Sequence, residues 1–523
     1  MTLLLPALPR LVSPRPLLVL ALGILLGGCE WENWTKTEKV RPDYLTQPES
    51  ARQLTDYIRK ATENRKRVRM TGSGHSASDV AITNDVLFTP EKLNKPLALQ
   101  RSRLKHPNEP RLVHVMSGIG IRDLNDYLDR NGLALENMGG YGGQTIAGVM
   151  MTATHGSGLG YGPIADQVVS LQMVVEGGRM VQIEPANGIT NPATFPGKLE
   201  EDATIPVQLI QDTNAFNAAR VAIGSMGVVY AVTLRADAKF WLREVRRKVN
   251  WNELKQPGGY LEKVLAKQPV YDSGPSPEHI EFQYTPYANA SGDRSFLITE
   301  RYRVYSPLPE QPASERGQPG TDFVSGLITV LEMPLAAIVD TFPSLAKTIL
   351  AQSLSSQVDD NYTNVSYRVF NIGVVNYTDA IAIEAAFDLR QTVAAIERSF
   401  AVADALFAQG YVHTAPVAVR FVKATDAFIA TQQGRDTMFM EVITLRDSRG
   451  SRPVLITHQN TYLAEFGSRP HWGLDLNTLR SEAQLRALYP QWEQWKTQFH
   501  RFNANGTFDG KVTDRLGISV RPR

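Results

Sequence analysis

The chain has one cysteine, almost no net charge and no paired histidines, and each shortage excludes a class of protein. With Cys29 as the sole thiol, no intramolecular disulfide can form. Lys and Arg total 55 against 53 Asp and Glu, and a net charge of +2 gives no field that would attract nucleic acid, so no such partner is expected. The nine histidines lack helical ligand spacing and cysteine partners, which disfavours zinc, and no metal is predicted.

The N-terminus has the pattern of a secretory signal. Arg10 and Arg15 precede the apolar run 17–26, which is shorter than the roughly 20 residues needed to cross a bilayer. Small residues then lead into Cys29, as in the lipobox of bacterial lipoproteins. We predict a lipoprotein signal peptide over 1–28 and a lipid on Cys29, with a plain signal peptide or an uncleaved anchor as alternatives. The predicted location is the bacterial cell envelope, on the outer side of the cytoplasmic membrane or, given Glu30, at the periplasmic face of the outer membrane.

The remaining length predicts more than one core. Residues 29–46 are polar and are interpreted as a tether. A first domain is predicted over 47–238, a second over 239–455, and a C-terminal segment over 456–523. Strand and helix patterns alternate throughout, which indicates an α+β fold. The patterns predict a strand over 111–116, a helix over 121–130, a hairpin around 176–178 and a strand over 279–284. The apolar stretch 323–350 carries charges and prolines and is interpreted as a helix pair rather than a membrane span.

Three glycine-dense segments carry the first chemical signal. Thr71-Gly-Ser-Gly-His-Ser76 follows a predicted strand, and its glycines let backbone N–H groups form an anion-binding nest. The segment lacks the third glycine of the Rossmann dinucleotide-binding fingerprint. Alone, it is compatible with a simple turn that carries a surface histidine. The second segment runs over 137–148 and 152–158, and the third over 218–229. The first two segments could both line an extended ligand that contains a diphosphate, whereas Gly224 and Gly227 of the third could merely cap a short helix and permit tight packing.

These segments together resemble the vanillyl-alcohol-oxidase (PCMH-type) FAD-binding domain, in particular the aldonolactone oxidase and alditol oxidase branch, which includes D-arabinono-1,4-lactone and L-gulonolactone oxidases. The C-terminal half carries the resemblance at 416–421, 434–437, 466–473 and 489–492. The resemblance implies a two-part FAD-binding domain, completed by the C-terminal segment, and a substrate (cap) domain built on an antiparallel sheet with flanking helices.

The resemblance also implies how FAD would be held. The histidine that bonds covalently to the flavin falls on His75. The residues implied to line the FAD site with it are Gly72, Ser73, Gly74, Ser76, Gly139, Gly140, Thr145, Gly148, Thr154, His155, Gly156, Gly227 and Val228.

The implied catalytic residues depart from the family pattern at two positions. The family's Glu-x-Arg becomes Ala418-Val419-Arg420, and the lysine of its Pro-His-Trp-Gly-Lys becomes Leu474. A buried arginine without an acidic partner is costly, so we predict a carboxylate within reach of Arg420, with Glu441 and Glu384 as candidates. A less polar substrate, or reduced catalysis, would also account for the two departures.

His471 is expected to face the cofactor. The implied function is oxidation of a CH–OH group of a sugar lactone, polyol or related alcohol, with FAD as cofactor and with O2 or a membrane electron acceptor as oxidant. The alternative is a membrane-tethered flavin-binding lipoprotein with a redox-relay or binding role and little turnover.

Overall fold

The computed structural model describes residues 30–305, 334–370 and 379–523. The predicted signal peptide, Cys29 and the N-terminal part of the predicted helix pair lie outside the described residues. No helix within these ranges is long and apolar enough to cross a membrane.

The N-terminal part of the chain builds one unit around a six-stranded and a three-stranded sheet. A hairpin, β1 and β2, precedes them, and β8 pairs with β13 beside them. The strands are β1 Trp31–Glu32, β2 Lys39–Val40, β3 Tyr44–Thr46, β4 Val68–Met70, β5 Val86–Phe88, β6 Pro96–Leu97, β7 Leu112–Met116, β8 Leu133–Ala134, β9 Val168–Val175, β10 Arg179–Glu184, β11 Val207–Gln211, β12 Val228–Arg235 and β13 Asp237–Ala238. The helices are α1 Ala51–Glu63, α2 Ile121–Arg130, α3 Ile146–Met151 and α4 Thr213–Ala219.

The order of the larger sheet is β11-β10-β9-β12-β7-β6, and β3-β5-β4 form a small parallel sheet. Local signals explain the elements. Ser50 caps α1 by accepting a hydrogen bond from the N–H of Gln53, and Leu54 and Ile58 form the buried stripe of that helix. The hairpin predicted around residues 176–178 is β9 and β10, joined by Gly177 at φ +74°.

The second unit is an antiparallel sheet of eight strands in the order β17-β14-β16-β15-β19-β20-β18-β21. The strands are β14 Trp241–Asn250, β15 His279–Ala288, β16 Arg294–Val304, β17 Asp359–Val365, β18 Ala380–Asp388, β19 Val417–Val422, β20 Thr437–Leu445 and β21 Arg469–Pro470. Its helices are α5 Trp251–Leu254, α6 Tyr260–Leu265, α7 Leu335–Thr341, α8 Pro343–Ser355, α9 Ser366–Phe370, α10 Thr392–Ala408 and α11 Ser451–Phe466.

The two faces of this sheet differ in polarity because side chains alternate along each strand. In β19, Val417, Val419 and Phe421 join an apolar core with helices α10 and α11. Ala418 and Arg420, between them, point to the opposite face. The opposite face therefore carries the polar side chains, and it is turned toward the N-terminal unit.

The C-terminal residues return to the first unit through α12 Glu482–Leu488, α13 Trp492–Phe502 and α14 Lys511–Arg515. Trp492, Trp495 and Phe499 pack in one core with Phe216 of α4. The predicted boundary between 455 and 456 is wrong as a division, because it falls inside α11. The tether prediction for 29–46 is also wrong for its described part, since residues 30–46 form β1–β3.

Candidate active site

A single cavity of about 600 Å³ separates the N-terminal unit from the polar face of the eight-stranded sheet. All three glycine segments reach it, as does Arg420. The predicted cofactor and catalytic residues that line it are Gly72, Ser73, Gly74, His75, Ser76, Gly139, Gly140, Thr145, Gly148, Thr154, His155, Gly227, Val228, Glu384, Arg420, Glu441 and His471. Gly156 is not among the lining residues, and its prediction is corrected: a Cβ there would meet Asn137 Oδ1 at 2.1 Å, so this glycine allows close packing.

The first glycine loop packs directly on the start of α3. An ideal Cβ on Gly72 would lie 2.8 Å from Thr145 Oγ1 and 3.5 Å from the Cα of Gly148. Thr145 caps α3 by accepting a hydrogen bond from the Gly148 N–H. Gly74 has φ +74°, which a residue with a side chain rarely adopts. Two backbone segments thus approach closely at the cavity wall, with N–H groups available to an anion.

His75 follows these glycines, and its side chain contacts two aromatic rings. Its imidazole stacks on Tyr141 at 4.3 Å between ring centroids and lies 5.2 Å from the ring of Trp34. Burial lowers the pKa of His75 to about 4, so the ring is neutral at physiological pH. Sequence reasoning missed both aromatic neighbours, because Trp34 falls within the predicted tether and Tyr141 stands inside a glycine run.

The third glycine segment lies where β12 meets β9. Gly227 has φ +151°, and a Cβ there would lie 2.9 Å from the carbonyl oxygen of Val174. Arg69 is fully buried below this segment and donates a hydrogen bond to the carbonyl oxygen of Ile223 at 2.9 Å. The segment therefore forms part of the backbone wall of the cavity, which Gly227 and Val228 line.

Arg420 lies on the polar face of the sheet with three carboxylates around it. Its Nη1 donates to Glu441 Oε2 at 2.7 Å and lies 3.4 Å from Glu384 Oε1. Its Nη2 lies 3.4 Å from Glu281 Oε1. The prediction of a compensating carboxylate near Arg420 is therefore confirmed, with Glu441 as the nearest partner.

Cross-strand register explains this cluster. Glu441 pairs with Ala418 on one side and with Glu384 on the other, while Arg420 pairs with Glu281. A carboxylate of the neighbouring strand β20, directly opposite Ala418, thus reaches Arg420. Sequence reasoning missed Glu281, although its place in the alternating strand predicted over 279–284 was an available signal.

The two neighbouring carboxyl groups have pKa values displaced in opposite directions. Burial raises the pKa of Glu441, and repulsion from Glu384 adds to this against the attraction of Arg420. Burial would also raise the pKa of Glu384, but the attraction of His155, His471 and Arg420 is stronger. The pKa of Glu384 is therefore lowered. Burial also opposes the charge on Arg420, yet the three carboxylates raise its pKa and keep it charged.

Two histidines stand beside Glu384. His155 Nε2 lies 3.4 Å from Glu384 Oε2, and the backbone N–H of His471 donates to the carbonyl oxygen of Glu384 at 2.9 Å. One ligand atom from each of the three side chains falls within 4.8 Å of the others, a grouping that the sequence spacing did not reveal. These groups already have partners in the protein, since Arg420 contacts Glu384 and the Gly473 N–H donates to His471 Nδ1 at 3.1 Å.

Two family models match this chain. A model described as an FAD binding domain matches residues 42–184, and one described as D-arabinono-1,4-lactone oxidase matches residues 232–516. The second match covers more than half of the chain. The chain belongs to the D-arabinono-1,4-lactone oxidase family. It is accordingly an FAD-dependent oxidoreductase.

Full-length relatives agree with membership of the D-arabinono-1,4-lactone oxidase family. An L-gulono-1,4-lactone dehydrogenase of Mycobacterium tuberculosis is 26% identical over 487 residues, spanning 93% of this chain and 98% of that protein. An L-gulonolactone oxidase of Bos taurus is 26% identical over 497 residues, spanning 92% and 96%. Among solved structures, the cholesterol oxidase of Brevibacterium sterolicum superposes with a TM-score of 0.68 at 14% identity, covering 93% of this chain and 96% of that one. This last likeness concerns the fold.

The cavity fits the FAD of this oxidase family. Gly72 and Gly148 leave no room for a Cβ between the two backbone segments that would hold the diphosphate. The buried Nε2 of His155 makes no hydrogen bond in the described part of the chain, and it lies 3.4 Å from Glu384 Oε2 at the cavity wall. The first two glycine segments lie in the region that the FAD-binding model matches, the third lies between the two matched regions, and the Arg420 cluster lies in the region that the oxidase model matches. Cofactor and substrate would therefore meet where the two units face each other.

Proposed function

We propose that this protein oxidises a CH–OH group of a sugar lactone or a related polyol or alcohol, using FAD joined covalently to His75. One observation carries the proposal: a single cavity connects the glycine loops and His75 to the Arg420 cluster. The names of the relatives, which specify gulonolactone substrates, support a lactone as the donor. Nothing in the comparisons or in the described residues favours the alternative of a binding protein without turnover.

The protein must orient the carbon–hydrogen bond and accept the hydroxyl proton. FAD supplies the hydride acceptor, its N5 atom. We assign Arg420 to bind the substrate oxygen, because this charged guanidinium lines the cavity and can stabilise a developing negative charge.

Glu441 is the better candidate for the proton acceptor. A carboxylate is a stronger base when its pKa is raised toward the working pH, and this holds for Glu441 and not for Glu384. Glu384 is instead placed to hold His155 and Arg420 in position. His471 completes the wall beside them.

The substitutions at Ala418 and Leu474 affect the size and polarity of the site. Both residues line the cavity, where the family has longer charged side chains. The 2.7 Å contact between Arg420 and Glu441 supports replacement of the lost glutamate by a carboxylate from the neighbouring strand.

Anaerobic mixing of the purified enzyme with L-gulono-1,4-lactone, D-arabinono-1,4-lactone, an alditol or a sterol tests the proposal. We expect a lactone to bleach the oxidised flavin band. Dithionite serves as the positive control, because it reduces any accessible flavin. A flavin that dithionite bleaches but no alcohol or lactone reduces would contradict the assigned activity.

We also propose that the protein is a lipoprotein of the cell envelope, attached through Cys29, with O2 or a membrane electron acceptor as oxidant. The pattern of residues 10–29 supports the anchor. Glu30 begins the described chain, and the next residue, Trp31, already lines the cavity. A Cys29→Ser protein should leave the membrane fraction, and wild-type protein that is recovered unlipidated and soluble would contradict the anchor.

A further inference from the structure

The orientation of the His75 ring depends on aromatic contacts. Tyr141 stacks on one side with an interplanar angle of 27°, and the ring of Trp34 is tilted by 33° against the imidazole. Among the described residues, no hydrogen bond to a ring nitrogen of His75 is found. Burial is the one influence acting on its pKa. The two aromatic rings are therefore the groups that can set the direction in which the imidazole nitrogens point.

Trp34 is held at this place by the N-terminal hairpin. Its backbone N–H donates to the carbonyl oxygen of Gly74 at 2.7 Å. The buried side chain of Asn33 donates to the carbonyl oxygen of Ser76 at 2.8 Å, and Thr37 Oγ1 donates to that of Ala77 at 2.9 Å. These bonds fasten the hairpin to residues on both sides of His75, so the position of Trp34 is coupled to the loop that carries the histidine.

The ring of Tyr141 occupies the space next to Gly143, where any other residue would place a side chain. An ideal Cβ on Gly143 would lie 2.3 Å from the hydroxyl oxygen of Tyr141 and 2.5 Å from its Cζ. The ring can occupy this place because residue 143 has no side chain. Since the clash would involve the far end of a side chain, a methyl group at Gly143 would displace the Tyr141 ring rather than the backbone.

We propose that Trp34 and Tyr141 form an aromatic clamp that positions the imidazole of His75 for bonding to the ring methyl carbon of FAD. This inference rests on the covalent link in the proposed function. When the bond between an imidazole nitrogen and the methyl carbon forms, one N–H and one C–H bond break. Both hydrogens leave as protons, and two electrons remain on the flavin. They pass to O2 or to the other acceptor that reoxidises the enzyme.

The chemistry of the bond explains why positioning matters. A neutral imidazole has one nucleophilic nitrogen lone pair, and it must point at the methyl carbon. Misplacement of a reacting group by about 1 Å can slow a reaction by roughly 100-fold. Removing either ring of the clamp should therefore slow covalent attachment by roughly 10- to 100-fold, while the glycine walls still bind FAD.

The test uses full-length protein with Trp34→Ala, Tyr141→Ala or Gly143→Ala, and the conservative variants Trp34→Phe and Tyr141→Phe. Tyr305→Ala is the matched control, because this aromatic residue is 76% exposed and does not line the cavity. Total FAD is read from the absorbance of the native protein. Covalent FAD is read from flavin fluorescence on a denaturing gel, in purified protein and over time with added FAD. Thermal unfolding reports on the fold.

We expect the three alanine variants to bind FAD but to attach it slowly, and the two phenylalanine variants and the control to attach it as the wild type does. Alanine variants with the wild-type rate of attachment would overturn the clamp and leave the covalent link intact. Wild-type protein that releases all its flavin on denaturation would refute the covalent link, and the clamp with it. If the Trp34 and Tyr141 variants fail to fold, Gly143→Ala decides, because wild-type attachment in that protein would overturn the inference.

Discussion

Replacing Glu441 with glutamine separates its role as a base from its role as a partner of Arg420. The substitution keeps the shape and a carbonyl oxygen that can accept the 2.7 Å hydrogen bond from Arg420 Nη1. Arg420 also keeps Glu384 and Glu281 within 3.4 Å. The charged arginine is thus not left alone, and the melting temperature should change little. What the variant loses is the group that accepts the hydroxyl proton.

The size of the effect follows from that assignment. General-base catalysis contributes about 10²- to 10⁴-fold to a rate, which corresponds to about 3–5 kcal/mol of transition-state stabilisation. We expect Glu441→Gln to lower the rate of flavin reduction by that factor with a much smaller change in KM, because substrate binding depends on Arg420. Glu397→Gln is the matched control: Glu397 bonds to Trp251 and Lys255 away from the cavity, and its loss should leave the rate unchanged.

The assay is anaerobic stopped-flow reduction of the flavin by a lactone as a function of pH. A base must be deprotonated to act, so the wild-type rate should rise with pH through the raised pKa of Glu441 and then level off. The glutamine variant should lack this acidic limb. A variant with the wild-type rate and an unchanged pH profile would refute Glu441 as the base and return the role to Glu384 or His471.

Three further predictions concern the cluster, the cofactor wall and acid stability. Arg420→Ala removes the cation that Glu441 contacts at 2.7 Å, while Glu384 keeps His155 and Glu281 keeps Arg301. The substitution should cost up to about 3–5 kcal/mol of stability as well as turnover. Partial rescue by lysine is expected in calorimetry and kinetics, and an unchanged melting temperature would contradict the cluster. Gly72→Ala should reduce the FAD content measured by absorbance, because the added Cβ enters the gap between the first glycine loop and α3. Gly160→Ala is the control and should keep its FAD, because a Cβ there has no atom within 4 Å. Equal loss of FAD in both variants would contradict the role of Gly72 in FAD binding. His413 Nε2 and His458 Nε2 are 2.8 Å apart in the core, and burial lowers the pKa of both histidines. Their neutral forms therefore contribute fully to the free energy of unfolding above the pKa of an unfolded histidine, about 6.5. This contribution should be lost as the pH falls below about 6.5, by up to about 1.4 kcal/mol per pH unit for each histidine. Equal free energies of unfolding at pH 7 and pH 5 would contradict this.

Local patterns in the chain determined the elements that carry the cofactor wall. The helix predicted over 121–130 is α2 with the same bounds, and the strand predicted over 111–116 is β7. Alternation, capping and helical spacing act between residues a few positions apart, so they can be recognised without a fold. The glycine segments were recognisable from their composition, whereas the approaches of Gly72 to Thr145 and of Gly227 to Val174 join segments that are distant in the sequence.

Strand register decided which carboxylate serves Arg420. Glu441 stands 21 positions further along the chain, and Glu384 is 36 positions before it. Both meet the arginine because β18, β19 and β20 pair in one register, and a slip by one residue would turn each side chain to the apolar face. The sequence suggested Glu441 and Glu384 as partners of Arg420, and the pairing of the strands made Glu441 the nearer one.

Tertiary contacts also determine the structure of residues 30–46. Their strands are two or three residues long, too short to give a periodic signal, and the sequence suggested a tether. The hairpin has its shape because Asn33 and Trp34 bond to the backbone beside His75. The sequence by itself thus determined which segments are rich in glycine and which histidine belongs to the first of them, because residue types are recognisable without their neighbours in space. The aromatic neighbours of that histidine and the partners of Arg420 depended on contacts that exist only once distant segments have folded together.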